Sequence, residues 1–326
     1  MNEEKIRLLT LFSSKKTVFS FILSFFILYL LIHSIDIADV IFIAKKTDIS
    51  LYILAFIIHY LSILIRGIRW NSLLKNMDMQ PGFSIATKMV FLSWFVNCIV
   101  PAKIGDVYRS YLLKKKNGTP ISASIGSIFI ERMCDILVLL VMLTISCLII
   151  FRKNIPVQIS EALRVGYILL TAIILCLFIL WMLKERLSEI VPDRFLFHFN
   201  NFHTSLYNPF SNRFTILMVT ILTILAWSME AGRFFLVTRA LGLEISFEVI
   251  VCVVLAASLL TAVPLTPAGL GAVEVSIVFI LRLVGIDSNI GASLALLDRL
   301  ISYWSMILTG YIVYMLSERS SNTSQE

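Results

Sequence analysis

Charged residues are scarce in this chain of 326 residues. They make up 15% of it, against about 25% in soluble domains, and 58% of the residues are hydrophobic. A water-soluble enzyme of this composition would aggregate, and a disordered chain needs much lower hydrophobicity. The composition therefore excludes both classes and indicates one multi-span membrane bundle, because each span takes about 20 apolar residues.

Residues that bind metals or form disulfides are also few. The five cysteines lie inside apolar stretches without metal-ligand or disulfide spacing, and the four histidines are scattered. We interpret the cysteines as packing residues. The sequence contains no Ser-His-Asp order, no P-loop and no dinucleotide fingerprint. We therefore predict no metal, no cofactor and no catalytic residue.

Uncharged runs predict six full transmembrane helices. The first run follows a basic N-terminus, but no small-residue cleavage site comes after it, so we expect a retained helix and not a signal peptide. The Ser/Asn/Gln-rich residues 317–326 are predicted to be a disordered tail. The predicted spans cover residues 17–35, 49–65, 119–151, 165–183, 214–236 and 290–316.

Two further apolar runs are interrupted, residues 89–102 by Pro101 and residues 249–273 by Pro and Gly. We predict that each forms a re-entrant hairpin. Its broken tip would lie near the bilayer midplane, where non-helical backbone is tolerated only inside protein or beside water. Helix N-termini at such tips favour an anionic group. The predicted tip residues are Pro101, Gly105, Pro264, Pro267, Gly269 and Gly271.

The distribution of basic residues supports re-entry. If both hairpins re-enter, 18 Lys and Arg lie in inside segments and 7 in outside loops, as the positive-inside rule requires. If the first hairpin crossed, Lys114, Lys115 and Lys116 would face outside. We therefore predict an inner (plasma) membrane protein with both termini in the cytoplasm. The net charge of +7 then reflects topology, and we expect no nucleic-acid partner.

The two halves of the chain, residues 49–151 and 214–316, match each other at an offset of 164–167 residues. The predicted topology starts the halves from opposite faces, so the match predicts an inverted repeat, a pattern typical of transporters. We expect a single transmembrane domain over residues 1–326. The matched features are Arg69-Trp70 with Arg233-Phe234, residues 101–107 with 267–273, and Glu131-Arg132 with Asp298-Arg299.

Charged residues within spans are costly and are therefore functional candidates. Glu131 and Asp135 are four residues apart and share a helix face. They need a basic partner from another helix, or one of them must be protonated. A proton-coupled step and a structural ion pair remain alternatives. Glu274 is expected to lie deep, and Glu230 and Arg233, three residues apart, are interpreted as a structural pair.

Arg66, Arg69 and Trp70 come at the end of the second span. One interpretation is a pair of snorkelling arginines with an aromatic belt. The other is a phosphate site formed by the two arginines beside the first hairpin. The candidate substrate-binding residues are Arg66, Arg69, Lys103, Asp106, Arg109, Glu131, Arg132, Asp135, Glu274, Asp298 and Arg299.

Five motifs recur in order along the chain, namely Arg66-x-x-Arg69-Trp70, Pro101-x-Lys-x-Gly105-Asp106-x-x-Arg109, Glu131-Arg132-x-x-Asp135, Pro264-x-x-Pro267-Ala-Gly-Leu-Gly271-x-x-Glu274 and Asp298-Arg299. Through these motifs the chain resembles, over about residues 10–316, a flippase-like family. This family includes the transmembrane region of lysylphosphatidylglycerol synthases and stand-alone relatives associated with lipid-linked glycan assembly. Lys103 stands where an Arg is usual and Ala268 where a Gly is usual. Because Lys lacks the bidentate geometry of Arg toward phosphate, the headgroup can differ.

The resemblance implies a lipid flippase and not an enzyme. Its substrate would be a phosphate-bearing lipid with an anionic headgroup, either a phospholipid or a polyprenyl-phosphate-linked glycan. The sequence contains no counterpart of the synthases' soluble aminoacyl-transferase domain, so we do not expect synthase activity. Three alternatives stay open. They are a membrane-embedded enzyme using Glu131, Asp135 or Asp106 on a lipid phosphate or lipid-linked sugar, a non-catalytic partner of a glycosyltransferase or lipid synthase, and an ion-coupled transporter of a small solute.

Overall fold

The computed structural model describes residues 15–152, 155–261 and 266–323, and within these ranges the secondary structure is entirely helical. This confirms the predicted all-α, polytopic membrane protein. The helices are α1 (Lys15–His33), α2 (Ile37–Ala44), α3 (Ile49–Lys75), α4 (Phe83–Ile99), α5 (Ile104–Asn117), α6 (Ile121–Phe151), α7 (Val157–Met182), α8 (Lys184–Ile190), α9 (Asp193–Tyr207), α10 (Arg213–Ala240), α11 (Phe247–Leu260), α12 (Ala272–Leu283), α13 (Ser288–Arg299) and α14 (Ser305–Thr323).

Within the part of the chain that the structure describes, five helical segments are long and apolar enough to cross a membrane. They are α3, α6, α7, α10 and the continuous stretch Ser288–Ser317, which joins α13 to α14 through a π-helical turn. A sixth candidate is the pair Thr17–His33 and Ile37–Ala44, which is bent by 91°. These six correspond to the predicted spans. Their surfaces suit lipid, since Ile168 on α7, for example, is 61% exposed.

Both broken runs contain the expected helix interruption. In the first, α4 and α5 are joined through a turn in which Ala102 and Lys103 have φ angles of 65° and 56°. In the second, α11 ends before a 3-10 turn, Pro267–Gly269, that leads into α12. Helix α4 has only 17 residues, fewer than the about 20 that a full span takes. Re-entry from one face stays a prediction, and Pro264 lies outside the described residues.

Helices also form outside the predicted spans and hairpins, among them α2, α8 and α9. The polar stretch between α7 and α10 contains the amphipathic helix α9, which packs on α6. Helix α14 continues to Thr323, seven residues into the segment predicted to be disordered, because neither Gly nor Pro interrupts it after Gly310. Composition alone indicated polarity in both stretches, and polarity does not exclude a helix.

The described residues form two compact units. Unit 1 comprises residues 15–59, 91–108 and 231–323, and unit 2 comprises residues 60–90 and 109–230. These boundaries do not follow the predicted repeat halves, so the inverted repeat stays a prediction. The core of unit 1 forms where α11, α12 and α13 pack together. The core of unit 2 includes Leu73, Ile130, Leu206 and Val219 from α3, α6, α9 and α10.

Candidate functional site

Unit 2 encloses a group of buried charges that we call the arginine–carboxylate cluster. Each member is at most 6% exposed, so none of them is hydrated as a surface charge would be. Burial of charge at this density is stable only when the groups neutralise one another. Helix α3 contributes Arg66 and Arg69, α5 contributes Arg109, α6 contributes Glu131 and Asp135, and α10 contributes Glu230.

Arg69 is the centre of the cluster and joins the two carboxylates of α6. Its Nη2 lies 2.5 Å from Glu131 Oε1, and its Nη1 lies 2.6 Å from Asp135 Oδ1. The guanidinium also donates to Thr223 Oγ1 at 2.8 Å. The sequence predicted that Glu131 and Asp135 need a basic partner from another helix, and Arg69 is that partner. The two carboxylates are therefore ion-paired in this arrangement, and a proton-coupled step stays a prediction.

Arg109 closes the cluster from the side of α5. Its Nη2 donates to Glu131 Oε2 at 2.7 Å, so the two oxygens of one carboxylate are bound by two arginines. The Arg109 guanidinium also lies over the Trp70 ring, 4.8 Å from its centroid. Trp70 is fully buried and donates from Nε1 to Ser127 Oγ. The interpretation of Trp70 as an aromatic-belt residue is therefore wrong, because its indole is buried in protein and packs against the Arg109 guanidinium.

Arg66 connects α6 to α10. Its guanidinium nitrogens lie 3.9 Å from Asp135 Oδ1 and 3.9 Å from Glu230 Oε1. It stacks over Trp227, whose Nε1 donates to Asp135 Oδ1 at 3.2 Å. The sequence predicted Arg233 as the partner of Glu230. In the structure Glu230 lies beside Arg66 and accepts a hydrogen bond from Ser62. Arg66 is 2% exposed, so it does not snorkel.

Arg132 adds a fourth guanidinium at the edge of the cluster. Its Nη1 lies 3.5 Å from Asp135 Oδ2, and its side chain is 32% exposed. The six buried groups of the cluster carry three positive and three negative charges when all are ionised, and Arg132 places a further positive charge at their edge.

The tip of the first hairpin lies in unit 1. Gly105 donates its backbone N–H to Asn97 Oδ1 at 2.8 Å, and Ser93 donates to Asp106 Oδ1 at 3.2 Å. These bonds hold the start of α5 against the end of α4. Pro101 is buried in the turn, while Lys103 and Asp106 are partly exposed. The hairpin residues Lys103 and Asp106 and the cluster residues are thus described in different units.

The tip of the second hairpin is held by Arg299. Its Nη2 donates to the backbone oxygens of Ala268 and Gly269, each at 3.4 Å. Its Nε lies 3.0 Å from Glu274 Oε1. The other oxygen of Glu274 accepts the N–H of Gly271 at 2.8 Å, at the start of α12. Gly271 has a φ of 87°, which favours glycine because it lacks a Cβ.

Asp298 has a separate arginine partner. Arg233 Nη1 lies 2.6 Å from Asp298 Oδ1, and both side chains are buried. Nearby along the chain, Tyr303 donates to the backbone oxygen of Cys98 at 2.9 Å. Arg233–Asp298 is the counterpart of Arg69–Glu131 in the predicted repeat, and each pair is a short buried ion pair. The internal repeat itself stays a prediction.

The eleven predicted substrate-binding residues therefore divide between the units. Six of them meet in unit 2, namely Arg66, Arg69, Arg109, Glu131, Arg132 and Asp135. The other five belong to unit 1, namely Lys103, Asp106, Glu274, Asp298 and Arg299. Sequence reasoning missed Ser62, Thr223 and Trp227. Uncharged donors inside a span resemble ordinary packing residues, so composition gave no signal for them. Among the described residues, no group of three His, Cys, Asp or Glu has the arrangement of a metal site.

Comparison with known proteins gives matches over most of the chain. The family described as the lysylphosphatidylglycerol synthase TM region matches residues 17–310. A UPF0104 membrane protein of Methanocaldococcus jannaschii is 35% identical over 226 residues, which cover 69% of this chain and 95% of the relative. A UPF0104 membrane protein of Methanothermobacter thermautotrophicus is 26% identical over 321 residues, covering 92% and 93%. Glycosyltransferase AglD of Haloferax volcanii is 24% identical over 327 residues, covering 89% of this chain and 52% of AglD.

Proposed function

Since this multi-pass membrane protein belongs to the family of the lysylphosphatidylglycerol synthase transmembrane region, we propose that it moves a phosphate-bearing lipid between the two leaflets of the membrane. The observation that carries the proposal is the arginine–carboxylate cluster. Guanidinium groups recognise phosphate oxygens through paired, charge-assisted hydrogen bonds. Charged groups buried within membrane spans are costly and mark transport pathways.

In the proposed mechanism a phosphate replaces a carboxylate as the partner of an arginine. In the described arrangement, Arg69 and Arg109 are buried and bound to Glu131 and Asp135, so headgroup binding requires these pairs to open. The phosphate oxygens then occupy the guanidinium donors, and the ion pairs form again after release. A phosphodiester suits this exchange because its single negative charge, like that of a carboxylate, can pair with a guanidinium. The hydrocarbon tail remains in lipid throughout.

Lipid translocation in proteoliposomes tests the proposal. The full chain is reconstituted in phosphatidylcholine vesicles that contain acyl-chain-labelled phosphatidylglycerol, and a parallel preparation contains a fluorescent polyprenyl phosphate. Exposure of each probe is followed with an impermeant quencher. We expect translocation to fall to the protein-free rate in Arg109→Ala and Glu131→Gln.

Lys115→Ala provides the matched control. Lys115 lies on the same helix as Arg109 but is exposed, so its loss removes an equal charge without touching the cluster. We expect the control to keep the wild-type rate. If Arg109→Ala and Glu131→Gln also translocate at that rate, the proposed mechanism is wrong.

A second candidate function is that of a non-catalytic partner of a glycosyltransferase. It is favoured by the similarity to AglD, which is named a glycosyltransferase and of which this chain covers about half. In this case the cluster would serve only to hold helices together. Cluster variants that fold would then retain function, while changes on exposed surfaces would abolish it. Product formation by the purified chain on a lipid-phosphate panel tests the further alternative, a membrane-embedded enzyme.

A further inference from the structure

Unit 2 also contains a cavity of about 930 Å³, whose lining includes no member of the arginine–carboxylate cluster. It is bounded by α6, α7, α9 and the start of α10. Its volume lies in the upper part of the about 300–1,000 Å³ typical of ligand pockets. No step of the proposed headgroup exchange uses this cavity.

The walls of the cavity are apolar where they belong to the transmembrane helices. Leu137 of α6, with Ile174, Phe178 and Trp181 of α7, lines it. The same four side chains are 43–56% exposed, and α7 is a span with little of its surface buried in protein. The cavity walls therefore continue into surface that faces lipid, which is the solvent for these side chains in a membrane.

The polar lining comes from the ends of those helices. Lys184 is the first residue of α8, two residues after the end of α7, and Asn208 and Ser211 belong to the turn that precedes α10. Because helix ends mark the membrane boundary, these groups lie where a lipid headgroup would be. Lys184 supplies a positive charge there, which is complementary to an anionic headgroup.

His203 of α9 gives an independent indication of a ligand. It lines the cavity and is 7% exposed, and its Nε2 has no hydrogen-bond partner among the described residues. A buried polar atom without a partner is unusual in a folded protein. Burial and the positive charge of Lys184 lower the pKa of His203, while its hydrogen bond with the backbone of Leu180 acts in the opposite direction. A neutral ring has one N–H and one accepting nitrogen, so with the N–H bound to Leu180 the unpartnered Nε2 is an acceptor.

From these observations we propose that the cavity binds a hydrocarbon chain of an anionic membrane lipid, with the phosphate of its headgroup near Lys184. The choice of a phosphate-bearing lipid rests on the proposed function, while the chain site is carried by the cavity itself. Tyr207 strengthens the wall between chain and headgroup, since its hydroxyl donates to the backbone oxygen of Leu177 at 2.6 Å.

Photolabelling tests the chain site. The full chain in phosphatidylcholine vesicles is exposed to phosphatidylglycerol with a photoreactive group near the end of one acyl chain, and adducts are mapped by mass spectrometry. We expect adducts on cavity residues of α6 and α10. Ile216→Trp fills the cavity and should abolish these adducts. Leu217→Trp is the matched control, because Leu217 is the next residue on α10 and is 58% exposed outside the cavity.

A second pair of variants tests the headgroup end. Lys184→Ala should reduce cavity labelling by phosphatidylglycerol severalfold, while exposed Arg186→Ala leaves it unchanged. A photoreactive diacylglycerol, which lacks phosphate, should be insensitive to both changes. Competition by unlabelled polyprenyl phosphate or unlabelled phosphatidylglycerol then distinguishes the two sources of chain and phosphate. Thr220→Trp, also in the cavity wall, provides a second filling variant if Ile216→Trp does not fold.

The outcomes separate this proposal from the flippase proposal. Adducts that spread evenly over the lipid-facing surfaces and persist in both Trp variants within the cavity would overturn the chain site, even if translocation proceeds. Cavity adducts that disappear in Ile216→Trp but not in Leu217→Trp support it. In a wild-type protein that shows such adducts without translocation, the chain site stands and the flippase proposal fails.

Discussion

At the scale of single residues, the dominant feature is that one buried carboxylate contacts two arginines and one arginine contacts two carboxylates. Glu131 is bound through one oxygen by Arg69 and through the other by Arg109. Asp135 is in turn shared between Arg66 and Arg69. Removing one partner from such a buried network leaves an uncompensated charge, which costs much more than the loss of a surface ion pair.

Replacement of Arg69 should therefore be among the most damaging single changes in unit 2. Arg69→Ala leaves Glu131 and Asp135 without their shared partner, and we expect a loss of about 3–5 kcal/mol of unfolding free energy. Arg69→Lys keeps the charge but cannot fork between two carboxylates, so it should lie between alanine and wild type. Denaturant unfolding in detergent micelles measures both.

Arg186→Ala controls for the loss of a basic residue, because Arg186 is exposed on α8. It should change the unfolding free energy by no more than about 0.5 kcal/mol. Equal stability of Arg69→Ala and Arg186→Ala would show that the network contributes nothing to folding.

Part of this network could be predicted from the sequence. The four-residue spacing of Glu131 and Asp135 places them on one helix face, and buried like charges require a basic partner. The identity of that partner could not be predicted, because Arg66 and Arg69 read equally well as snorkelling residues at a span end. Deciding between these interpretations needs the positions of α6 and α10 beside α3, which depend on long-range packing and not on local pattern.

At the scale of helices, close approach in the core depends on small side chains. Gly67 of α3 faces Thr87 of α4 so closely that an added Cβ would overlap the Thr87 side chain and Cα. Gly232 of α10 has no neighbouring atom within 4 Å of such a Cβ. Gly67 is therefore tightly packed against a neighbouring helix, whereas Gly232 has free space where a Cβ would lie.

Alanine at these two glycines should have effects of opposite sign. Gly67→Ala must push α4 away from α3, and overpacking of this kind costs about 1–3 kcal/mol. Gly232→Ala meets no obstacle and gains up to about 1 kcal/mol from helix propensity. Thermal unfolding of the two variants in the same detergent compares them directly. A stabilising Gly67→Ala would mean that the two helices do not pack at this distance.

The helices themselves were the most predictable level. Uncharged runs located the six spans, and Pro101 and the Pro/Gly stretch of the second hairpin located the helix breaks. Helix α9 was not predicted, because its polar residues suggested a loop and its apolar face is recognised only once α6 is present to cover it. The hydrogen bonds from Arg299 to the backbone oxygens of Ala268 and Gly269 could not be predicted either, because every residue has a backbone acceptor whatever its side chain.

At the scale of the whole molecule, the buried cluster modifies the charge argument for topology. Arg66, Arg69 and Arg109 were counted among the 18 inside basic residues, but each is buried and neutralised within unit 2. Without these three, 15 inside residues stand against 7 outside. The excess of basic residues on the inside remains. It now depends more strongly on the Lys114–Lys116 run and on the segment between α7 and α10.

Labelling of single cysteines from one side of the membrane tests this topology. In a Cys176→Ser background, which removes the exposed native thiol, we place cysteine at Lys115, Glu189 or Ser160, all exposed positions. In intact cells, an impermeant maleimide should label Ser160→Cys only. Lys115→Cys and Glu189→Cys should react only after permeabilisation, because basic segments are retained inside. Labelling of Lys115→Cys in intact cells would mean that the first hairpin crosses the membrane, and the inverted repeat built on its re-entry would fail with it.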